Sequence, residues 1–200
     1  MKTIAIDIDD VIADTHNAVI VWGNARTGKS LDEADYVVDA DYWGYYERVW
    51  AEHDMSHLSL DLFIDELAVD QAHIPLLPGA LYAISELRKH FHIVLVTSRN
   101  PALEAATRRW LGVHIGTDID IYFAKAQDHT VNSRTKGEIC KELGAWLLID
   151  DSVEHVQSAL DYGIEAILFG SYGWHSYLPM GAVNKQNWSD ILEYVNDITK

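Results

Sequence analysis

The sequence has little that would tie it to an oxidising compartment or to a membrane. Its 200 residues include one cysteine, Cys140, which excludes an internal disulfide and fits a reducing compartment. We expect this thiol to be a buried helix residue rather than a reactive group. No apolar run approaches the roughly 20 residues of a membrane-spanning helix. Acidic residues close behind Met1 and Lys2 leave no apolar core for a signal peptide. We therefore expect a cytoplasmic protein.

Basic residues are also scarce. Fifteen Lys and Arg stand against 31 Asp and Glu, which gives a formal net charge of −16. A surface this acidic repels phosphate backbones and anionic lipids, so neither a nucleic-acid polymer nor a membrane is expected as a partner. A small anionic substrate is compatible with this charge if a metal ion and a few local basic residues reverse the potential at one site.

Short apolar runs alternate with helical patterns along most of the chain. The predicted strands are continuous rather than alternating in polarity, as strands covered on both faces are. They are residues 3–8, 92–97, 120–124, 145–150 and 165–170. The helical stretches between them are residues 79–90, 101–112, 135–144 and 152–163. This order predicts an α/β fold with a doubly wound, Rossmann-like parallel sheet.

Residues 15–75 interrupt this alternation. The segment holds no convincing buried strand, and its polar-aromatic stretches have helical character. Pro75 and Pro78 then mark the return to the α/β pattern. We therefore predict a helical cap domain at 15–75, inserted after the first strand of a core domain formed by residues 1–14 and 76–200.

Acidic residues end two of the predicted strands. Asp7 closes the first strand and Asp9 follows two residues later, so an extended backbone would point both carboxylates to the same side. Ligands of open α/β sheets bind in the crevice at these strand ends. Two carboxylates there suit a hard divalent ion such as Mg²⁺. Asp150 ends another strand and would complete the metal site, with Asp151 in a secondary role.

Phosphate-binding side chains are predicted at the same edge of the sheet. Thr97, Ser98 and Arg99 end the second predicted strand with two hydroxyls and a guanidinium. Lys136 opens the helix that leads into the acidic strand, and its ammonium could enter the same crevice. Lys125 competes for this role, and we favour Lys136 because of its position.

These motifs together resemble those of haloacid-dehalogenase (HAD) superfamily phosphatases: D-x-D-x-V at 7–11, a strand-ending Thr, a Lys, a strand-ending acidic pair and a cap after the first motif. The segments "DIDDVIAD", "PLLPGALYAI", "VTSRN", "LLIDDS" and "NWSDILEYV" are most similar to the 5'(3')-deoxyribonucleotidase branch. The resemblance implies a phosphomonoesterase that hydrolyses a small phosphate ester, a (deoxy)nucleoside monophosphate in that branch. A non-nucleotide metabolite as substrate, or a phospho-ligand binder without catalysis, are the alternatives.

The resemblance also implies a role for each residue. Asp7 would be the nucleophile that carries an aspartyl-phosphate, and Asp9 would be the general acid and base. Mg²⁺ would be held by Asp7, by the backbone carbonyl of Asp9 and by Asp150. Thr97 and Lys136 would bind the phosphoryl oxygens, with Ser98 and Arg99 close by.

A competing motif lies within the predicted cap. Residues 23–30, "GNARTGKS", match the phosphate loop of ATP- and GTP-using proteins and would indicate an NTPase. Such a loop must follow a buried strand, whereas the residues before it carry an apolar stripe of helical spacing. The proposed stripe is Ala18, Val21, Trp22 and Ala25. Gly28 would end this helix and Ser30 with Glu33 would form a capping box for the next one, so we predict a junction between two cap helices.

Four aromatic residues are clustered in the predicted cap, Tyr42, Trp43, Tyr45 and Tyr46. Their rings could stack on a substrate base or pack within the cap, and we favour packing.

Overall fold

The computed structural model describes residues 1–36, 42–124 and 134–199. Within them, six parallel strands form one sheet in the order β3-β2-β1-β4-β5-β6. The strands are β1 (Thr3–Ile6), β2 (His92–Thr97), β3 (Asp120–Phe123), β4 (Ala145–Asp150), β5 (Glu165–Phe169) and β6 (Val183–Lys185). β1 therefore lies in the middle of the sheet, between β2 and β4.

Helices cover both faces of this sheet. In β1, Ile4 and Ile6 pack into the core on one face and Ala5 into the core on the other, and all three are fully buried. The described α-helices are α1 (Thr15–Thr27), α2 (Tyr45–Glu52), α3 (Leu60–Leu67), α4 (Ala80–Leu87), α5 (Glu104–His114), α6 (Lys136–Glu142), α7 (Val153–Asp161) and α8 (Trp188–Ile198). The layers confirm the predicted doubly wound α/β fold. Every helix in the described ranges is too short or too polar to cross a lipid bilayer.

The strand predictions differ from the structure mainly at strand ends. The bounds of β2 and β4 agree with the prediction, whereas β1 ends at Ile6 rather than at residue 8. The strand β6 was missed, because Val183–Lys185 is a short edge strand of half-buried residues without a continuous apolar run. Cys140 is fully buried in α6, as predicted.

The described part of residues 15–75 contains α1, a 3₁₀ helix (Glu33–Tyr36), α2 and α3. The chain leaves and re-enters the sheet layer through two adjacent segments. The amide of Asp14 donates to the carbonyl of Pro75 (2.9 Å), and the amide of Leu77 donates to the carbonyl of Ile12 (2.8 Å). We call residues 15–75 the cap segment. Its status as a separate domain, with the boundaries predicted above, stays a proposal.

The residues of the competing phosphate-loop motif form a helix end. α1 runs through Gly23 to Thr27, and Gly28 ends it with a left-handed backbone (φ 69°), as predicted. Lys29 is exposed. Because a helix rather than a strand precedes the glycines, the geometry that an NTPase phosphate loop requires is not formed here.

Two details of that junction were predicted wrongly. Ala18 and Trp22 of the predicted stripe are buried, but Val21 and Ala25 are exposed. The buried face of α1 also includes His16, Val19, Ile20 and Gly23. The search for apolar periodicity missed this part of the face because it includes a histidine and a glycine. The predicted capping box of Ser30 is also wrong, since the side chain of Asp32 accepts the Ala34 amide (2.8 Å) at the start of the 3₁₀ helix.

Candidate active site

A cavity of about 690 Å³ lies at the carboxyl ends of β1, β2 and β4. The sheet contributes Asp7 and Asp9 after β1, Ser98 and Arg99 after β2, and Asp151 after β4. The cap segment closes the other side, mainly with apolar and aromatic side chains: Val19, Tyr42, Trp43, Tyr46, Leu60, Phe63, Ile64 and Leu67. The cavity is thus in the crevice where open α/β sheets bind ligands, and most of the predicted site residues line it.

Lys136 joins two of the acidic residues. Its ammonium Nζ lies 2.8 Å from Asp7 Oδ2 and 2.7 Å from Asp150 Oδ2, and its side chain is fully buried. A capping box between Thr135 and Glu138 fixes the first turn of α6, of which Lys136 is the first residue. Burial alone would lower the pKa of the Lys136 ammonium, but the two carboxylates outweigh burial and raise it. The competing Lys125 lies outside the described residues.

Three carboxylates form a compact acidic cluster. One oxygen each from Asp7, Asp150 and Asp151 lies within 4.8 Å of the others. Burial raises the pKa of the Asp7 carboxyl to about 6, against the opposing charge of Lys136. Burial and the neighbouring Asp150 also raise the pKa of Asp151. A divalent cation would offset this crowding of negative charge, and carboxylate oxygens are the donors that Mg²⁺ prefers.

The three carboxylates differ in how many of their oxygens are already hydrogen-bonded within the protein. Asp7 Oδ1 is buried and has no hydrogen-bond partner among the described residues. Asp150 instead uses both oxygens, because Oδ2 binds Lys136 while Oδ1 accepts the Ser152 amide (3.0 Å) and lies 3.2 Å from His155 Nδ1. Burial opposes ionisation of Asp150, but Lys136 and His155 hold its pKa at about 2. Asp151 Oδ2 accepts one bond, from the Trp174 indole (3.0 Å).

Asp9 is held by a guanidinium. Arg99 Nε donates to Asp9 Oδ2 (2.8 Å), Arg99 Nη2 donates to Asp9 Oδ1 (2.6 Å), and the Thr15 hydroxyl donates to the same Oδ1 (2.6 Å). Burial would raise the pKa of the Asp9 carboxyl, but Arg99 outweighs it and holds the pKa below its ordinary value. Arg99 was predicted as a phosphate ligand; in the structure its guanidinium contacts Asp9.

The other predicted phosphate ligands end β2. Thr97 is fully buried and its hydroxyl oxygen accepts the Arg99 amide (3.2 Å). Ser98 Oγ lies in the cavity, 3.3 Å from His155 Nε2.

The backbone after β1 turns rather than extending through Asp9. Asp10 has a left-handed conformation (φ 55°), and its carboxylate accepts the amide of His16 (2.7 Å) at the start of α1. The argument that Asp7 and Asp9 share one side of an extended strand is therefore wrong in its geometry. Both residues still line the cavity.

The aromatic cluster both packs and lines the cavity. Tyr45 is fully buried, whereas Tyr42, Trp43 and Tyr46 face the cavity. The cluster extends to His16, whose ring centre lies 5.4–6.4 Å from five aromatic ring centres: Tyr36, Tyr45, Tyr46, Tyr172 and Trp174. Burial in this cluster lowers the pKa of His16 to about 4.

No protein-family model and no curated protein matches the sequence. Solved structures match it in fold over almost the whole chain. A putative HAD-hydrolase from Bacillus subtilis bound to magnesium superposes with a TM-score of 0.63 at 16% identity, covering 98% of each chain. A HAD family hydrolase from Deinococcus radiodurans with bound phosphate and sodium has a TM-score of 0.66 at 13% identity, covering 100% of this chain and 96% of the other. The chain has the haloacid-dehalogenase fold. A predicted phosphatase from Clostridium acetobutylicum shares this fold with a TM-score of 0.66 at 14% identity, covering 98% of each chain.

Several contacts within this haloacid-dehalogenase fold were not predicted from the sequence. They involve Thr15, Gln71, Thr107, His155 and Trp174. His155 could have been found, since it lies one helical turn beyond the acidic pair and behind the capping Ser152. Gln71 and Trp174 lie 28 and 23 residues from the residues they contact. Thr15 and Thr107 lie only 6 and 8 residues from theirs, but they do not belong to any of the motifs.

Proposed function

We propose that the protein is a Mg²⁺-dependent phosphomonoesterase that hydrolyses a small phosphate ester through an aspartyl-phosphate on Asp7. The observation that carries this proposal is the environment of Asp7. One of its oxygens is bound by Lys136, and the other is buried without a hydrogen-bond partner among the described residues. This carboxylate lies at the wall of a cavity large enough for a small metabolite.

In the first step, a carboxylate oxygen of Asp7 bonds to phosphorus while the bond from phosphorus to the leaving oxygen breaks. Asp9 lines the same cavity and gives a proton to the leaving oxygen. Splitting hydrolysis into two displacements avoids direct attack of water on the ester.

In the second step, Asp9 takes a proton from a water molecule whose oxygen bonds to phosphorus. The bond between phosphorus and Asp7 breaks, which releases inorganic phosphate and restores both carboxyl groups. Asp9 needs an ionised carboxylate for this step, and the Arg99 guanidinium favours that form.

Asp7, Asp151 and the backbone carbonyl of Asp9 would hold Mg²⁺, which would offset negative charge on the transferred phosphoryl group. We place Asp151 rather than Asp150 in this set, because Asp150 already uses both oxygens within the protein. The ammonium of Lys136 and the hydroxyls of Thr97 and Ser98 would bind the phosphoryl oxygens. The magnesium bound to one structure of the same fold and the phosphate bound to another support this assignment.

For the substrate, we propose a nucleoside monophosphate. Tyr42 and Trp43 line the cavity with aromatic rings that are only partly buried. Flat rings stack on aromatic faces, so a nucleobase is a good match to this wall.

The test is phosphate release from nucleoside monophosphates, sugar phosphates and phosphoglycolate, with and without Mg²⁺. We expect Mg²⁺-dependent release that Asp7→Asn abolishes. The matched control is Asp120→Asn, which removes an exposed carboxylate at the opposite end of a strand and should keep full activity. Release that survives Asp7→Asn would contradict the mechanism, and a preference for sugar phosphates would contradict the substrate class.

A further inference from the structure

The contacts of Arg99 point to a role that neither the sequence motifs nor the fold assigns. The guanidinium donates hydrogen bonds to both carboxylate oxygens of Asp9, from Nε at 2.8 Å and from Nη2 at 2.6 Å. A paired contact of this kind fixes the plane of the carboxylate as well as its position. The hydroxyl of Thr15 adds a third bond, to Asp9 Oδ1.

The guanidinium is itself anchored on its far side. Arg99 Nη1 donates to Gln71 Oε1 (2.8 Å) and to the Thr107 hydroxyl (3.1 Å). All three side chains are buried, with residue exposures of 7% for Arg99, 3% for Gln71 and 0% for Thr107. Burying a guanidinium is costly, so its four directed bonds, two to Asp9 and one each to Gln71 and Thr107, indicate a fixed arrangement rather than a surface ion pair.

We propose that Arg99, anchored by Gln71 and Thr107, is a positioning residue that orients the Asp9 carboxylate for the step in which Asp9 activates water. This inference rests on the proposed function. Arg99 acts through Asp9 and takes no part in bond making. During that step, the Asp9 carboxylate accepts a proton from water, water oxygen bonds to phosphorus, and the bond from phosphorus to Asp7 breaks. A base held in one orientation by a rigid partner avoids the search over rotamers before each transfer.

The experiment follows p-nitrophenyl phosphate hydrolysis by rapid mixing in Arg99→Lys. Lysine keeps the positive charge beside the buried Asp9 carboxylate, but its ammonium cannot form the bidentate contact with both oxygens. The nitrophenolate leaves without a proton, so formation of the phosphoenzyme should not depend on Asp9. We expect a burst of about one nitrophenolate per enzyme, as wild type forms in its first turnover. The steady-state rate should fall at least about tenfold. This loss would be part of the roughly 10²–10⁴-fold rate acceleration that a positioned general base supplies.

The matched control is Arg108→Lys, which makes the same change at an exposed arginine of α5 paired with Glu104. This variant should leave both the burst and the steady-state rate unchanged. A second variant, Thr107→Val, keeps the shape of the side chain and leaves Arg99 in place. It should lower the steady-state rate by a smaller factor than Arg99→Lys does. This variant replaces Arg99→Lys in the test if circular dichroism shows that Arg99→Lys folds poorly.

Three outcomes would overturn the inference. A raised KM with unchanged kcat would make Arg99 a phosphate ligand. Equal loss of the burst and of the steady-state rate would indicate a structural role alone. An unchanged steady-state rate in both variants would show that Asp9 needs no such support. Failure of the proposed function is distinguishable, because wild type would then release no nitrophenolate in the presence of Mg²⁺.

Discussion

A glycine beside the central lysine offers a quantitative test of the site. Gly137 follows Lys136 in α6, and a Cβ added there would lie 2.2 Å from the backbone oxygen of Ser158 in α7. Contacts shorter than 3.0 Å essentially never occur for Cβ atoms, so the two helices must separate by about 0.8 Å in Gly137→Ala. A backbone carbonyl cannot rotate away as a side chain can.

The expected loss of stability follows from two opposing effects. Overpacking costs about 1–3 kcal/mol, and so short a contact with a backbone oxygen belongs to the upper part of this range, about 2–3 kcal/mol. Alanine returns about 1 kcal/mol of helix propensity. The net loss is about 1–2 kcal/mol, which should lower Tm by roughly 2–8 °C for a chain of this length.

Activity should fall more than stability. The contacts of Lys136 with Asp7 and Asp150 are 2.8 and 2.7 Å long, so a shift of this size disrupts them. A displacement near 1 Å in a catalytic site can reduce the rate by about 10²-fold. Thermal unfolding followed by circular dichroism and phosphate release from the same preparations would measure both effects.

The control is Gly112→Ala in α5, where the added Cβ would meet only the side-chain methyl of Thr117, at 3.2 Å. This variant should be as stable as wild type or more stable by about 0.5–1 kcal/mol. If Gly137→Ala matched wild type in Tm and activity, the packing of α6 against α7 would not set the position of Lys136.

Three further predictions concern other parts of the molecule. The pKa of His16 is lowered from 6.5 to about 4, so the unfolded chain binds a proton in this window that the folded protein does not. Wild-type stability should therefore fall by about 3 kcal/mol more than that of His16→Gln between pH 7 and pH 4; equal losses in urea denaturation would contradict this. Trp174→Phe removes the indole bond to Asp151 Oδ2 and should raise the Mg²⁺ concentration for half-maximal activity by about 10–100-fold. An unchanged Mg²⁺ titration would show that this bond does not orient Asp151. Lys29→Ala, at an exposed turn after α1, should leave phosphate release unchanged, and lost activity would reopen the phosphate-loop interpretation.

The parallel sheet was predictable because buried strands carry their signal locally. β2 and β4 are continuous apolar runs, and their bounds agreed with the prediction. The carboxyl ends of parallel strands meet at one edge of the sheet, so the sequence alone predicts that Asp7, Thr97 and Asp150 lie at that edge.

The partners of each site residue were not predictable in the same way. A buried guanidinium needs an anionic partner. The sequence does not show whether the partner of Arg99 is a phosphate or Asp9, which lies 90 residues away. Part of the buried face of α1 was missed for a similar reason. Gly23 is buried because its missing side chain makes room for Trp50 and Met55, which no hydrophobicity pattern shows.

The most direct test of the central claim is to locate the phosphoryl group on the enzyme. Asp9→Asn protein would be mixed with p-nitrophenyl phosphate and Mg²⁺, quenched in acid, and mapped by peptide mass spectrometry. This variant retains the nucleophile and lacks the base that activates water, so the intermediate should accumulate. The account predicts one phosphoryl group on the peptide that contains Asp7, and none when Asp7→Asn is added. A phosphoryl group on another residue, or turnover by Asp9→Asn at the wild-type rate, would contradict it.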